Sequence, residues 1–234
     1  QTIANSILER IPEDRKLVKM WQPRDEEGSV HRVTDIEDIP LNQGTWLILG
    51  RTHSKLQSLR ESIEERGIYY EYKNRKSYNE RLFRNILNYE RWREGTLLSI
   101  TECKDLFEFL NKEFNHTDER LYDLKEFGYS VTQIWYEVFE THPEESLYIR
   151  LMRQNGEELS KPARVKLSTM HAAKGGEADN VLLVLDNTKK IREAVDKDQD
   201  KRDEEHRVWY VGVTRTKQNL YIMEAKKEWN GYDI

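Results

Sequence analysis

The 234-residue sequence contains a single cysteine, Cys103. One thiol excludes an internal disulfide framework and any zinc site built from cysteines. No apolar run approaches the roughly 20 residues that a membrane-spanning helix needs, and no signal peptide is recognisable. Together these absences predict a soluble, cytoplasmic protein that makes no membrane contact.

An excess of positive charge is also missing. Lys and Arg number 38 against 43 Asp and Glu, which gives a formal net charge of −5, although charged residues make up 35% of the chain. The composition therefore excludes a uniformly basic nucleic-acid binder, and any contact with a nucleic-acid strand requires a local basic patch. A chain of this length can bury one good core or two modest ones.

Two motifs of nucleotide hydrolysis are absent as well. The sequence has no Gly-x-x-x-x-Gly-Lys-Ser/Thr loop to hold phosphates, and no strand that ends in the paired acids that bind magnesium. We therefore predict no metal site within this chain.

The first 72 residues alternate between strand and helix patterns, which predicts a βαβ unit. The predicted elements are, in order, a helix over residues 2–10, strands over 18–21 and 29–34, a buried strand over 45–50, a helix with Leu56, Leu59 and Ile63 on one face, and a strand over 68–72. We expect the second helix to begin at a Ser54 cap and to stop at Gly67.

The character of the sequence changes between residues 73 and 162, where charged and aromatic residues alternate with helical spacing. Helices are predicted over residues 78–92, 104–114 and 131–139, with few strand signals. This pattern indicates a small helical insertion between two halves of an α/β domain. The basic run at residues 73–76 is either a solvated face or a contact for phosphates, and we favour the solvated face.

The α/β pattern resumes with an alternating strand over residues 163–169, followed by apolar strands over 181–185 and 220–223. Between the last two strands the sequence is densely charged. It predicts a solvated loop over residues 189–206 that leads into a helix, with the acidic residues 203–205 in the first helical turn.

The turn after this alternating strand combines several chemical groups. Gly175 and Gly176 allow a backbone to approach a ligand closely. The Glu177 carboxylate can accept hydrogen bonds from ribose hydroxyls, and Thr169 and His171 carry a hydroxyl and an imidazole suited to a phosphodiester backbone. Taken singly, each also fits a structural role, because a Gly-Gly pair is usually a turn and a lone His is usually a local hydrogen-bonding residue.

Two segments resemble signature motifs of UvrD-like superfamily 1 DNA helicases. Thr169-Met-His-Ala-Ala-Lys-Gly-Gly-Glu177 resembles the fifth motif, and Tyr210-Val-Gly-Val-Thr-Arg215 resembles the sixth. They occur in the family's order with an apolar strand between them. The resemblance implies an α/β fold: a RecA-like parallel-sheet motor domain, of the P-loop NTPase type, interrupted by a small helical accessory insertion. Residues 1–72 and 163–234 would be the two halves of the motor domain, and residues 73–162 the insertion.

The resemblance also implies roles in nucleotide binding and catalysis. Glu177, with Gly175 and Gly176 before it, falls on the ribose-binding part of the nucleotide site. Arg215 falls on the arginine finger, a catalytic residue that stabilises negative charge on a transferring phosphoryl group. The alternative for Arg215 is a surface salt bridge. Arg207 is expected to tie the motif segments together.

Contacts with single-stranded DNA are implied at two places, at Thr169 and His171 and in a segment that resembles the family's Tyr-Arg-Thr-Asn, here Gly50, Arg51, Thr52 and His53. The family often has Tyr and Asn where this chain has Gly50 and His53, so the resemblance is weakest at His53. Arg51 can instead cap or solvate its loop.

As a whole, the resemblance implies the C-terminal portion of an ATP-dependent DNA helicase that moves on single-stranded DNA, 3′ to 5′ by analogy, and unwinds duplex DNA. ATP and Mg²⁺ would be the cofactors, with the metal held by an N-terminal motor domain outside this chain. The expected partners are single-stranded and duplex DNA, that N-terminal motor domain, and a protein bound through the helical insertion. The setting would be the cytoplasm of a bacterial or phage-infected cell, and the isolated chain would be inactive.

The alternative is a stand-alone module, degenerated from a helicase, that binds nucleic acid or a partner without turning over ATP. The intact motifs favour the motor, because Glu177 and Arg215 have little use without a nucleotide.

Overall fold

The computed structural model describes residues 1–17, 27–130, 132–173, 175–227 and 230–234. The strand predicted over residues 18–21 lies outside these ranges. So do Val131, at the start of a predicted helix, and Lys174, within the fifth motif.

The described residues form strands and helices in the alternating order that the sequence predicts for the α/β part. The strands are β1 (Ser29–Val33), β2 (Trp46–Gly50), β3 (Tyr70–Tyr72), β4 (Arg75–Lys76), β5 (Val165–Thr169), β6 (Ala178–Val184) and β7 (Thr216–Met223). The helices are α1 (Thr2–Glu9), α2 (His53–Glu65), α3 (Glu80–Arg93), α4 (Ile100–Phe109), α5 (Trp135–Val138), α6 (Pro143–Gln154), α7 (Lys189–Lys197) and α8 (Gln199–Val213).

All seven strands belong to one sheet, in the order β1-β7-β6-β2-β5-β3-β4. Neighbours from β1 to β3 pair in parallel, which confirms the predicted α/β fold with a parallel sheet. Every residue of the central strand β2 is buried, as its continuous apolar run indicates. At the end of β2, Gly50 lies in register with Thr169 of β5 and Val184 of β6.

An apolar cluster holds α1 and α8 against this sheet. Ile7 of α1 and Trp209 of α8 are fully buried in it, together with Leu49 of β2 and Leu183 of β6. Because burial of one such side chain stabilises a fold by about 1.5–3 kcal/mol, this cluster fixes α8 firmly on the sheet.

Helix α2 confirms the predicted apolar face, since Leu56, Leu59 and Ile63 are buried. The predicted Ser54 cap is wrong. The helix begins at His53, and Thr52 takes the N-cap position with an extended backbone. The chain turns into the helix directly after β2, so Ser54 already lies within the first helical turn.

The helices predicted over residues 104–114 and 131–139 differ from those observed. Helix α4 begins earlier because Ser99 and Glu102 form a capping box, in which the Ser99 amide donates to Glu102 Oε2 at 2.9 Å. It ends at Phe109, two residues before Asn111 adopts a positive φ of 48°. Helix α5 is a single turn, Trp135–Val138.

Helix α6 is missing from the sequence-based prediction, although its ends carry recognisable signals. Pro143 stands at its start with Glu144 and Glu145 in the first turn, and Arg153 lies in the last turn. Proline, early acids and a late base are all favourable at these positions.

The loop predicted over residues 189–206 is wrong, because helices α7 and α8 occupy it. Thr188 caps α7 by accepting a hydrogen bond from the Ile191 amide at 3.4 Å, and Asp198 caps α8 by accepting from the Asp200 amide at 2.7 Å. The dense charge belongs largely to the exposed faces of these helices. Residues Asp203 and Glu205 therefore lie inside α8 and are buried, not in its first turn.

The chain divides into two compact units. One, the α/β unit, consists of Gln1–Arg75 and Glu158–Ile234; the other, the helical unit, is Lys76–Glu157. Aromatic rings fill the helical unit: Phe127 lies 5.6 Å from Trp92 and 4.9 Å from Phe107, measured between ring centroids. Burial raises the pKa of the Cys103 thiol there to about 12, so this cysteine is a packing residue and not a nucleophile.

No helix of the described residues combines the length and the apolar character needed to cross a bilayer.

We expect Ile48→Ala to lower the free energy of unfolding by about 2–5 kcal/mol, because Ile48 is fully buried in the central strand and its truncation leaves a cavity. The control is Val30→Ala in edge strand β1, where the side chain is 52% exposed; it should cost less than about 1 kcal/mol. Urea unfolding followed by circular dichroism measures both. Equal losses would contradict the central position of β2.

A second expectation concerns the helical unit. Burial raises the pKa of Asp105, but hydrogen bonds from Arg84, Asn85 and Arg81 lower it by more, to about 2. A depressed folded-state pKa stabilises the fold above the unfolded value near 4, and this stabilisation fades as the pH falls toward 2. Asp105→Asn should therefore destabilise the unit at neutral pH, and the difference from wild type should narrow between about pH 4 and pH 2.

The matched control for Asp105→Asn is Glu108→Gln. Glu108 also pairs with Arg81, but its side chain is 66% exposed, so it should contribute little. Thermal unfolding across this pH range measures both variants. A pH-independent difference for Asp105→Asn would show that its charge is not what stabilises the unit.

Candidate nucleotide and nucleic-acid sites

The parallel sheet brings Glu177 and Arg215 together, although 37 residues separate them in the sequence. Glu177 immediately precedes β6 and Arg215 immediately precedes β7, and these strands are neighbours with Ala178 opposite Thr216. The Ala178 amide donates to the Arg215 carbonyl at 3.2 Å. Both residues thus lie where the parallel strands begin, at the amino edge of the sheet.

A cleft of about 760 Å³ opens at this edge. We refer to it as the amino-edge cleft; its lining includes Ile3, Glu177, Tyr210, Thr214, Arg215 and Lys217. Its volume falls within the range of small-molecule sites, which hold about 300–1,000 Å³. The cleft therefore presents a carboxylate and a guanidinium to the same space.

Among the described residues, Arg215 donates to neutral acceptors. Its Nε donates to the Val211 carbonyl at 3.0 Å, and its Nη2 donates to Thr214 Oγ1 at 3.2 Å. No carboxylate of the described residues forms an ion pair with it, so the surface salt bridge considered from the sequence is not seen in this part of the chain. The guanidinium is thus held in position, and no ion pair within the described ranges compensates its charge, as an anion-binding residue requires.

The glycine pair lies in the connection between β5 and β6. Gly175 has a φ of 89°, a backbone conformation that favours glycine. Neither Gly175 nor Gly176 is among the residues that line the amino-edge cleft. The geometry thus accounts for Gly175 as a turn residue, and a ligand contact by either glycine stays a prediction.

The candidate DNA contacts lie at the opposite edge, where the parallel strands end. Because Gly50 and Thr169 are in register, Arg51 and His171 follow their strands side by side. The Met170 amide donates to the Gly50 carbonyl at 3.1 Å and extends the pairing by one residue. This is the edge at which open α/β sheets place ligands, and the His171 side chain is exposed there.

Arg51 is engaged on both sides of its guanidinium. Its Nε lies 2.9 and 3.0 Å from the two carboxylate oxygens of Glu205, and its Nη1 lies 3.3 Å from Nδ1 of His171. Glu205 also accepts a hydrogen bond from Trp209 Nε1 at 2.7 Å. We call Arg51, His171, Glu205 and Trp209 the carboxyl-edge cluster.

Glu205 was not identified as a site residue from the sequence. Its spacing of four residues from Trp209 on a helix was an available signal, since side chains at i and i+4 share a helical face.

Thr169, Thr52 and His53 make local contacts beside the cluster. The carbonyl and the hydroxyl of Thr169 accept from the Ala172 amide at 3.0 and 3.4 Å, which closes the turn after β5. Thr52 Oγ1 lies 3.0 Å from Ser54 Oγ, and His53 Nδ1 lies 2.8 Å from the Tyr72 hydroxyl. Burial and the nearby Lys73 lower the pKa of His53, which favours a neutral ring.

Helix α8 carries a second buried carboxylate, Asp203, which pairs with Arg15 and accepts from Gln199 Nε2 at 2.7 Å. Burial raises the pKa of Asp203, but the hydrogen bonds from Arg15 and Gln199 lower it by more. Arg207 Nη2 donates to the Arg15 carbonyl at 2.7 Å. Arg207 thus joins α8 to the N-terminal segment, and a link between the motif segments stays a prediction.

The described residues include no group of three or more His, Cys, Asp or Glu side chains that could hold a metal ion.

Comparison with known proteins gives two similarities. A model of the UvrD-like helicase C-terminal domain matches residues 100–227, more than half of the chain. The DNA helicase II of Rickettsia typhi (strain ATCC VR-144 / Wilmington) is 40% identical over 73 residues, which is 30% of this chain and 11% of that protein. The matched stretch is thus a small part of the relative's length.

Proposed function

The chain belongs to the UvrD-like helicase C-terminal domain family, and from this premise we propose that it forms the second motor domain of an ATP-dependent DNA helicase. The observation that carries the proposal is the shared position of Glu177 and Arg215 on the amino-edge cleft. The nucleotide motifs of such a helicase need a ribose acceptor and an arginine finger on one side of ATP, and these two residues meet both needs.

In this proposal the chain supplies one side of an ATP site. The Glu177 carboxylate accepts hydrogen bonds from the ribose hydroxyls. The Arg215 guanidinium, held by Val211 and Thr214, stabilises the negative charge that grows on the phosphoryl group. Mg²⁺ would neutralise phosphate charge, and we assign it to an N-terminal motor domain that also provides the phosphate loop. The chain by itself would therefore be inactive.

The carboxyl edge is the proposed path of single-stranded DNA. His171 is exposed there, with Thr169, Thr52 and His53 close by. These groups offer hydrogen-bond donors and acceptors, which suits contact with a strand that slides during translocation. Movement from 3′ to 5′, duplex unwinding and a cytoplasmic location belong to the same proposal, and a protein partner for the helical unit stays a prediction.

The first test concerns Arg215. The 234-residue chain alone should show no DNA-stimulated ATP hydrolysis above background, because it lacks a phosphate loop. In a protein that joins it to its N-terminal motor domain, Arg215→Ala should lower the hydrolysis rate by roughly three to five powers of ten and leave nucleotide binding nearly intact. A coupled ATPase assay and titration with a fluorescent nucleotide measure the two quantities.

Arg32→Ala is the matched control for Arg215→Ala. Arg32 pairs with Glu224 and with the Ile234 carbonyl, outside the amino-edge cleft, and its loss should leave the hydrolysis rate unchanged. Normal hydrolysis by the Arg215→Ala protein, or strong ATPase activity from the isolated chain, would sink the proposal.

The second test concerns DNA. Replacing Thr169 and His171 together with Ala should weaken binding of a fluorescent single-stranded oligonucleotide by about tenfold, because two hydrogen-bonding groups are lost at about 0.5–1.5 kcal/mol each. Fluorescence anisotropy at several salt concentrations measures the affinity.

The control pair for the DNA test is Thr141→Ala with His142→Ala, which removes the same two groups from the helical unit. It should leave the affinity unchanged. If both double variants bind DNA like the wild-type chain at every salt concentration, Thr169 and His171 are structural residues only.

A further inference from the structure

Three segments far apart in the sequence meet in one line of side chains. Arg51 follows β2, His171 follows β5, and Glu205 lies within α8. The Glu205 side chain is 5% exposed and that of Arg51 17%, whereas His171 is exposed at the sheet edge. The line thus runs from a buried carboxylate, through a largely buried guanidinium, to an imidazole in contact with solvent.

The chemistry of these groups relates the contact between Arg51 and His171 to the position of the ring proton. A guanidinium carries only donors, so Arg51 Nη1 can approach Nδ1 of His171 at 3.3 Å as a hydrogen bond only if Nδ1 accepts. An imidazole with an accepting Nδ1 is neutral and carries its proton on Nε2. The Nε2–H group is then a donor on the side of the ring away from Arg51.

Glu205 fixes the position of Arg51 in turn. Both of its carboxylate oxygens lie within 3.0 Å of Arg51 Nε, and Trp209 Nε1 donates to the same carboxylate. A buried carboxylate needs this pairing, because removal of one partner leaves an uncompensated charge. The charge of Arg51 is therefore balanced inside the protein, and Arg51 is poorly placed to neutralise a phosphate itself.

We infer that Glu205 is a positioning residue for DNA contact. It holds Arg51 so that Arg51 keeps His171 in the neutral Nε2–H form, and this Nε2–H donates to an acceptor oxygen or nitrogen of single-stranded DNA. The inference rests on the proposed function for the DNA contact. It assigns Arg51, a residue expected from the sequence to touch DNA, to the support of His171.

The first arm of the test needs no DNA. Two-bond ¹H–¹⁵N correlation spectra of the 234-residue chain distinguish protonated from unprotonated ring nitrogens, and His171→Gln identifies the signals of His171 among the six histidines. The wild-type ring should be protonated at Nε2 only. Glu205→Gln should produce a mixture of protonation forms of the His171 ring. Arg51→Lys, which has one side-chain nitrogen in place of three, should do the same. A wild-type His171 that is cationic or protonated at Nδ1 overturns the inference, whatever the chain does with DNA.

Asp203→Asn is the matched control for Glu205→Gln. Asp203 lies two residues before Glu205 in α8, and it is also a buried carboxylate that pairs with an arginine. Among the described residues, this arginine, Arg15, makes no contact with His171. Both variants should lower the melting temperature. Only Glu205→Gln should change the ring nitrogens of His171, and a change in both would make Glu205 a merely structural residue.

The second arm measures single-stranded oligonucleotide binding by fluorescence anisotropy. A Gln amide nitrogen reaches the position of Nε2, whereas an Asn amide mimics Nδ1. His171→Gln should therefore retain most of the affinity, and His171→Asn should lose about fivefold. Glu205→Gln should lower the affinity by a similar factor. The double variant that combines Glu205→Gln with His171→Asn should bind no more weakly than His171→Asn alone.

The salt dependence separates a neutral donor from a charged one. Loss of a neutral donor leaves the slope of log affinity against log salt unchanged, whereas loss of an ionic contact to a single strand reduces it by about 0.7. A reduced slope in His171→Asn, or additive losses in the combined variant, would refute the positioning of His171 by Glu205. No DNA binding by the wild-type chain would refute the DNA contact instead, and the spectra would still decide the role of Glu205.

Discussion

The parallel pairing of β7, β6, β2 and β5 is the constraint on which both candidate sites depend. It places Gly50 opposite Thr169, residues that the whole helical unit separates in the sequence. Since all strand ends of one kind lie at one edge of a parallel sheet, the pairing also sorts functional groups. Arg51 and His171 follow strands and meet at the carboxyl edge, whereas Glu177 and Arg215 precede strands and meet at the amino edge. The fifth motif thus crosses the sheet from one site to the other.

Helix α8 is the element that touches both edges. Glu205 in its middle contacts Arg51, and Arg215 lies two residues after its last residue, Val213. The eight-residue step from Glu205 to Val213 spans about 12 Å at the rise of an α-helix. Trp209 packs this stretch into the core of the sheet, so one buried helix carries a residue of the carboxyl edge and leads to a residue of the amino edge.

Much of the α/β unit could be predicted because buried positions are recognisable as apolar residues in the local sequence. The apolar runs of β2 and β6 and the spacing of Leu56, Leu59 and Ile63 report burial directly. Helix α7 has no buried residue, and its charged sequence is equally compatible with a solvated loop. The pairing of Glu205 with Arg51 could not be predicted from the sequence for another reason. It depends on which strands become neighbours, and a carboxylate in a helix pattern does not reveal a partner 154 residues away.

The distribution of charge explains why a positioned neutral donor suits this surface. The helical unit contains 16 acidic and 11 basic residues, which accounts for the whole net charge of −5 and leaves the α/β unit with equal numbers of both. A neutral unit offers little long-range attraction to a polyanion. In the proposed DNA contact, short-range hydrogen bonds at the carboxyl edge would then carry more of the affinity, and their strength depends on orientation. Fixing one imidazole through a buried ion pair meets that need, because an oriented donor loses less conformational entropy on binding than a mobile one.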